Sequence, residues 1–287
     1  MIRTDPRLWP QLVRLLHSVR VRLSRLAITD ATIDLGAFSL VDKQLKRLSF
    51  VRCKFKDVAL KNRASLGVLV NLQSLAFDFC EDVTDRLMSA IAASLGTELQ
   101  KLYLSICGPG PSLSCIDCAN LRYFSVHNEQ KCRLDLQGSR HNSRDSRSNS
   151  QDFRPDLQAV LRIVERNMES LEGLSLCGII MDNLQYTTFW SQFGNMKFPN
   201  LKYLDLSSNC LESGVDIKRS CPNLVGLDLW SPYNVPLPGH AEIPMRRINS
   251  PTWDFDSKYG DTLAIKKIGR SGKLHCLWYQ SSQPRNL

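Results

Sequence analysis

The chain has 287 residues, a hydrophobic fraction of 43% and a formal charge of +9 from 37 Lys and Arg against 28 Asp and Glu. That apolar content supplies a core, yet no apolar run approaches the roughly 20 residues that a membrane-spanning helix needs, so no membrane partner is expected. A secretory signal is also not expected, because Arg3, Asp5, Pro6 and Arg7 stand where its apolar stretch would begin, and the expected location is cytoplasmic or nuclear.

Residues 1–22 read as a basic N-terminal helix or cap. Leu8, Leu12, Leu15, Leu16, Val19 and Leu23 recur at helical spacing with arginines between them. A basic amphipathic helix of this kind can bind a membrane surface or calmodulin, and an arginine-rich start can be a transit peptide. The reading adopted is a cap, since the end of a stacked-repeat array exposes core until something covers it.

From residue 23 to 232 the chain repeats. Segments of the form Leu-x-x-Leu-x-Leu, or close variants, begin at Leu23, Leu45, Leu72, Leu99, Leu121, Leu171, Leu201 and Leu224, separated by 22, 27, 27, 22, 50, 30 and 23 residues. All but one spacing lies in or next to the leucine-rich-repeat range. The expected fold is therefore α/β: a leucine-rich-repeat solenoid, or horseshoe, with a parallel sheet on its inner face and helices or irregular segments outside. Thr84–Leu95 carries helical spacing, with Asp85 as its start and Gly96 as its stop, and residues 156–166 carry it again. Cys53, Cys80 and Cys107 each fall eight residues after their opening leucine, in the slot where such repeats satisfy backbone groups at a bend. This explains them as buried free thiols in a reducing compartment rather than as disulfide partners.

The 50-residue gap contains a low-complexity insert, residues 138–154, with five serines, four arginines and almost nothing apolar. It reads as a solvated linker, with a phosphorylation site or localisation signal as the alternative. Residues 1–25 and 131–154 hold most of the basic excess. The repeat body is nearly neutral, and no nucleic-acid partner is expected. Residues 233–287 begin with a proline-rich stretch and form an irregular cap or tail, in which Leu274–Tyr279 has the look of a worn repeat.

Side chains alternate along a strand, so positions three, five and seven of each template point away from the leucines. These three rows are the candidate inner face for a protein partner, and the residues chosen on it are Arg25, Arg47, Lys101, Tyr103, Tyr123, His127, Tyr203, Asp205, Asp228 and Trp230. Arginines make its first end basic, aspartates make its last end acidic, and tyrosine and tryptophan are the residues most enriched at binding hot spots. Cross-strand aromatic ladders are the competing explanation. No catalytic site, metal or cofactor is expected. Cys115-Ile-Asp-Cys118 has no second ligand pair, and the five histidines show neither ligand spacing nor a serine-acid pattern.

Three stretches carry a family resemblance. Cys80-Glu-Asp-Val-Thr-Asp85 before a helix, and Cys221-Pro-Asn-Leu224-Val-Gly-Leu-Asp-Leu229, resemble the cysteine-containing leucine-rich repeats, while Asp5-Pro-Arg-Leu-Trp9 is similar to the closing residues of an F-box. The chain thus resembles an F-box/leucine-rich-repeat protein with the F-box itself almost wholly missing. The resemblance implies a non-catalytic substrate-recognition module related to the receptors of cullin-RING ubiquitin ligases. It also implies a ligase adaptor as partner, but only if an F-box lies upstream. The alternative is a free-standing repeat regulator that binds and occludes a protein partner without a ligase.

Overall fold

The computed structural model describes residues 24–33, 45–55, 69–95, 97–106, 113–127, 156–179, 183–206, 209, 217–228, 262–267 and 274–279. Each of the eight leucine templates forms one strand of an α/β structure. They are β1 (Arg25–Thr29), β3 (Arg47–Val51), β5 (Ser74–Cys80), β6 (Lys101–Ile106), β7 (Tyr123–His127), β8 (Gly173–Cys177), β9 (Tyr203–Asp205) and β10 (Gly226–Asp228). Successive strands are neighbours and parallel in one sheet. Two-residue strands β2 (Thr32–Ile33) and β4 (Lys54–Phe55) pair in parallel beside it.

The register holds template against template. Arg25 pairs with Arg47, Arg47 with Ser74, Ser74 with Lys101, Lys101 with Tyr123, Tyr123 with Gly173, and Gly173 with Tyr203. Across the 50-residue spacing before Leu171, β7 and β8 are direct neighbours, with no strand between them. The leucines at positions one and four explain why the register holds: slipping a strand by one residue would turn its apolar set to the wrong face. Leu45, Leu72, Leu99, Leu121, Leu171 and Leu201 are buried at position one, and Leu26, Leu48, Leu75, Leu102, Phe124, Leu174, Leu204 and Leu227 at position four.

Helices cover the leucine side. Helix α1 (Asp85–Ala92) starts where expected, with Thr84 accepting the Leu87 N–H as its cap, and buries Leu87, Met88 and Ile91. Helix α2 (Leu157–Asn167) is capped by Asp156, which accepts from the N–H groups of Gln158 and Ala159, and it buries Leu157, Val160, Leu161 and Val164. Two more follow, α3 (Asn183–Asn195) and α4 (Ile217–Ser220). No described helix is long and apolar enough to cross a membrane.

After each strand the chain bends sharply. Asp30, Arg52, Phe79 and Gly178 stand seven residues after their opening leucines, and all four have positive φ, between 50° and 66°. Only one is a glycine, so three repeats hold a left-handed residue that L side chains disfavour. The residue that follows secures the bend. The Cys53 thiol donates to Ile28 O at 3.3 Å and the Cys80 thiol to Phe50 O at 3.4 Å, in each case the position-six carbonyl of the preceding strand. Asn209, eight residues after Leu201, donates to Leu176 O in the same geometry. Cys107, the third cysteine of this slot, lies outside the described residues.

The C-terminal strands β11 (Thr262–Lys267) and β12 (Leu274–Tyr279) join the first end of the sheet. β11 pairs in parallel with β1, and β12 is antiparallel to β11. The Leu274–Tyr279 stretch is thus an edge strand beyond β1, whereas a further repeat would add a parallel strand beside β10. The basic N-terminal segment, the serine- and arginine-rich insert, Gly96 and Trp230 lie outside the described residues.

Candidate functional site

Two polar systems cross the face opposite the leucines. The first is buried and runs through rows five and seven. The Tyr103 hydroxyl lies 3.4 Å from Asp78 Oδ1, and its ring packs edge-on against His127 with centroids 5.3 Å apart. His127 Nε2 is 2.8 Å from Ser175 Oγ, which in turn donates to Asp205 Oδ2 at 2.6 Å. A continuous chain of side chains therefore ties β5 through β9 together.

Burial sets its chemistry. His127 is 2% exposed, and desolvation pushes its pKa down to about 4 against the opposing pull of Asp205. The ring is neutral at pH 7. Because the single proton of Ser175 is committed to Asp205, the ring nitrogen facing the hydroxyl must carry the N–H. This order is serine between histidine and acid, whereas an activated serine needs its proton accepted by the imidazole. Asp78 is raised by burial, with Tyr103 and then Arg52 pulling the other way. Two hydroxyls of the same buried rows, Ser105 Oγ and Ser125 Oγ, have no hydrogen-bond partner.

The second system lies at the strand starts, in rows two and three. Backbone N–H groups make a ladder there: Lys46 to Ser24 O, Gln73 to Lys46 O, Gln100 to Gln73 O, Arg122 to Gln100 O, Glu172 to Arg122 O, Lys202 to Glu172 O and Val225 to Lys202 O. Glu172 is its hub. Arg122 binds Glu172 Oε1, the Tyr123 hydroxyl donates to Oε2 at 3.1 Å, and Lys202 Nζ is 3.5 Å from Oε2. Burial works to raise the Glu172 pKa, but Arg122, Tyr123 and Lys202 together hold it below the usual carboxylate range. Lys101 sits 4.6 Å above the Tyr123 ring, and its pKa is lowered by burial and then by the cations Arg47 and Arg122. The Tyr123 hydroxyl is raised by burial and by Glu172.

The candidate residues thus divide by accessibility. Arg25, Tyr103, His127 and Asp205 are buried, Arg47, Lys101 and Tyr123 are half-buried, and Tyr203 is exposed. Asp228 lies in β10 with its side chain outside the described set, and Trp230 lies beyond it. Glu172, Arg122, Lys202, Ser175 and Asp78 take part in these two systems without standing among the ten candidate residues. Ser175 and Asp78 stand at outward positions of their templates, and Glu172 and Arg122 stand at position two, so the template alignment contained the signal. Comparison with protein-family models, with curated proteins and with solved structures gave no match for this chain.

Proposed function

We propose that the chain is a leucine-rich-repeat solenoid, a horseshoe that acts as a non-catalytic scaffold and binds a protein partner on its strand face. The observation that carries this reading is the register: eight leucine templates form eight parallel strands in chain order, which lines outward residues up in rows across the sheet. Such rows present a continuous surface for recognition. The serine hydroxyl engaged by Asp205 and the neutral buried His127 support a structural rather than a nucleophilic use of that polar chain. The free thiols of Cys53, Cys80, Cys118 and Cys221 support a reducing, intracellular setting.

Within this reading, the resemblance of the Cys80 turn, the Cys221 junction and Asp5–Trp9 to F-box/leucine-rich-repeat proteins supports a substrate-recognition role in a cullin-RING ubiquitin ligase. Proximity labelling in cells tests both levels. A Tyr123→Ala/Tyr203→Ala variant should melt near the parent temperature yet lose most protein partners. Retention of the full partner set by a folded variant would sink the strand-face reading. Recovery of cullin-RING subunits by a version extended upstream through an in-frame F-box, but not by residues 1–287 alone, would support the receptor role, and their absence from the extended version would favour a free-standing regulator.

A further inference from the structure

The accessible part of the strand face is not the whole of it. From β6 to β9 rows five and seven are occupied by the buried chain from Tyr103 to Asp205, and rows two and three form a separate strip along the strand starts that lies nearer solvent there. Its charges are arranged in order. Lys46 just before β3 and Arg47 at its start, Lys101 at the start of β6, Arg122 just before β7 and Lys202 just before β9 are exposed or half-buried, and Glu172 is the one acid of these two rows among the described residues. The acidic end expected from Asp205 does not reach this strip, because Asp205 is buried against Ser175. Beyond Glu172 row two still carries Lys202, beside which an apolar pair is exposed. Tyr203 is 38% exposed and Val225, just before β10, is 56% exposed, and these two strand starts are joined by the Val225 N–H to Lys202 O bond. Gly173 and Gly226 keep the row-three floor at backbone height on either side of Tyr203.

We propose that this strip docks an extended acidic peptide segment of the protein partner, with carboxylates over Arg47, Lys101 and Arg122 and an apolar anchor over Tyr203 and Val225. The inference rests on the protein-binding reading above. Parallel strands are about 4.8 Å apart, which puts Lys101 and Tyr203, three strands apart, about 14 Å from one another. An extended peptide covers that distance in about four residues. The partner motif is therefore a short acidic run followed, about four residues on, by a large apolar side chain. The Lys101 charge is disfavoured first by burial and then by Arg47 and Arg122, with Glu172 pulling the other way, and an acidic run would relieve the repulsion among the three cations. A nucleic acid fits less well. Its uninterrupted phosphates would pass over Glu172, and at the far end of the described strip only Lys202 would meet them, beside exposed Tyr203 and Val225.

A random 16-residue peptide display library panned on the full chain provides the test, run beside a fluorescent 12-nucleotide single-stranded RNA. The expected result is enrichment of peptides with clustered Asp or Glu near an aromatic or leucine. Their binding should weaken about tenfold or more in Arg47→Glu/Lys101→Glu, and should also weaken in Tyr203→Ala. Both variants should keep the parent's melting transition. Enriched peptides without acidic bias, or acidic peptides indifferent to both variants, would refute the strip while leaving protein binding intact. If no peptide is enriched and the RNA binds, the protein-binding reading falls as well.

Discussion

Ser125 and Ser175 face each other across β7 and β8 in the same outward row, and both are buried, yet only one has its hydroxyl engaged. This makes a matched pair for separating hydrogen bonding from burial. Ser175→Ala removes the acceptor of His127 Nε2 and one donor to Asp205. A buried ring N–H left facing a methyl group costs about 1 to 3 kcal/mol, and a lost bond to a carboxyl oxygen about 1.5 to 3 kcal/mol. The expected destabilisation is about 3 kcal/mol. Ser125→Ala instead deletes a buried oxygen that no donor or acceptor meets, so it should be neutral or stabilising by up to about 1 kcal/mol. Urea unfolding at pH 7.5, followed by far-UV circular dichroism, measures both from the midpoint, provided the slope is unchanged. Equal losses for the two variants, or a larger loss for Ser125→Ala, would show that the His127–Ser175–Asp205 chain contributes nothing beyond the packing of its atoms.

Three further outcomes follow from the same coordinates. His127 is held neutral down to about pH 4, whereas an unfolded histidine titrates near 6.5. Its contribution is therefore present above pH 6.5 and fades toward pH 4, by about 2 kcal/mol at pH 5. Unfolding midpoints at pH 7.5, 6 and 5 should show that decline, and His127→Gln should flatten it; parallel profiles for parent and variant would contradict the assignment. Leu204→Ala, at a fully buried position, should cost about 2 to 5 kcal/mol, while its exposed neighbour Tyr203→Ala should cost under about 1 kcal/mol. The same melts check that order, and comparable losses would contradict it. Asn167→Ala should cost about 3 kcal/mol, because this buried amide accepts from Leu121 N–H and donates to Cys118 O and Ile163 O at 2.7 to 2.8 Å. Hydrogen exchange should then rise first at Leu121, and unchanged protection there would argue against the clamp.

Much of this architecture was legible from leucine spacing because period and burial are the same fact: a residue at position one or four that was not apolar would unseat its strand. The place of α1 was legible from apolar spacing and Asp85, and that of α2 from spacing alone, while the caps themselves are Thr84 and Asp156. The bends were harder. Asp30, Arg52 and Phe79 adopt left-handed backbone without the glycine that ordinarily signals it, whereas Asn209 fills a slot that such repeats give to either Asn or Cys. The His127–Ser175–Asp205 link spans 48 and 30 residues, so no local motif announces it, although Ser175 and Asp205 fall in one template row. The pairing of β11 with β1 lies furthest from any sequence signal, because it joins segments more than 230 residues apart.

Alternation along a strand says which way a side chain points, but it does not say whether anything can reach it. Rows three, five and seven all point away from the leucines, and treating them as one surface places Tyr103, His127 and Asp205 on the same footing as Tyr123 and Tyr203. Their hydrogen bonds distinguish them. Tyr103, His127 and Asp205 spend their polar atoms on strand-to-strand bonds in a buried setting, where an unsatisfied group would be costly. Tyr123 and its neighbours spend theirs on Glu172, near solvent, where the exchange of one carboxylate for another costs much less. A partner's acid can therefore compete for Arg122 or Lys202 without disturbing the core, whereas reaching Asp205 would require dismantling the chain that holds five strands in register. The proposed recognition at the strand starts and the rigidity across the middle of the sheet would thus both follow from how far each row lies from water.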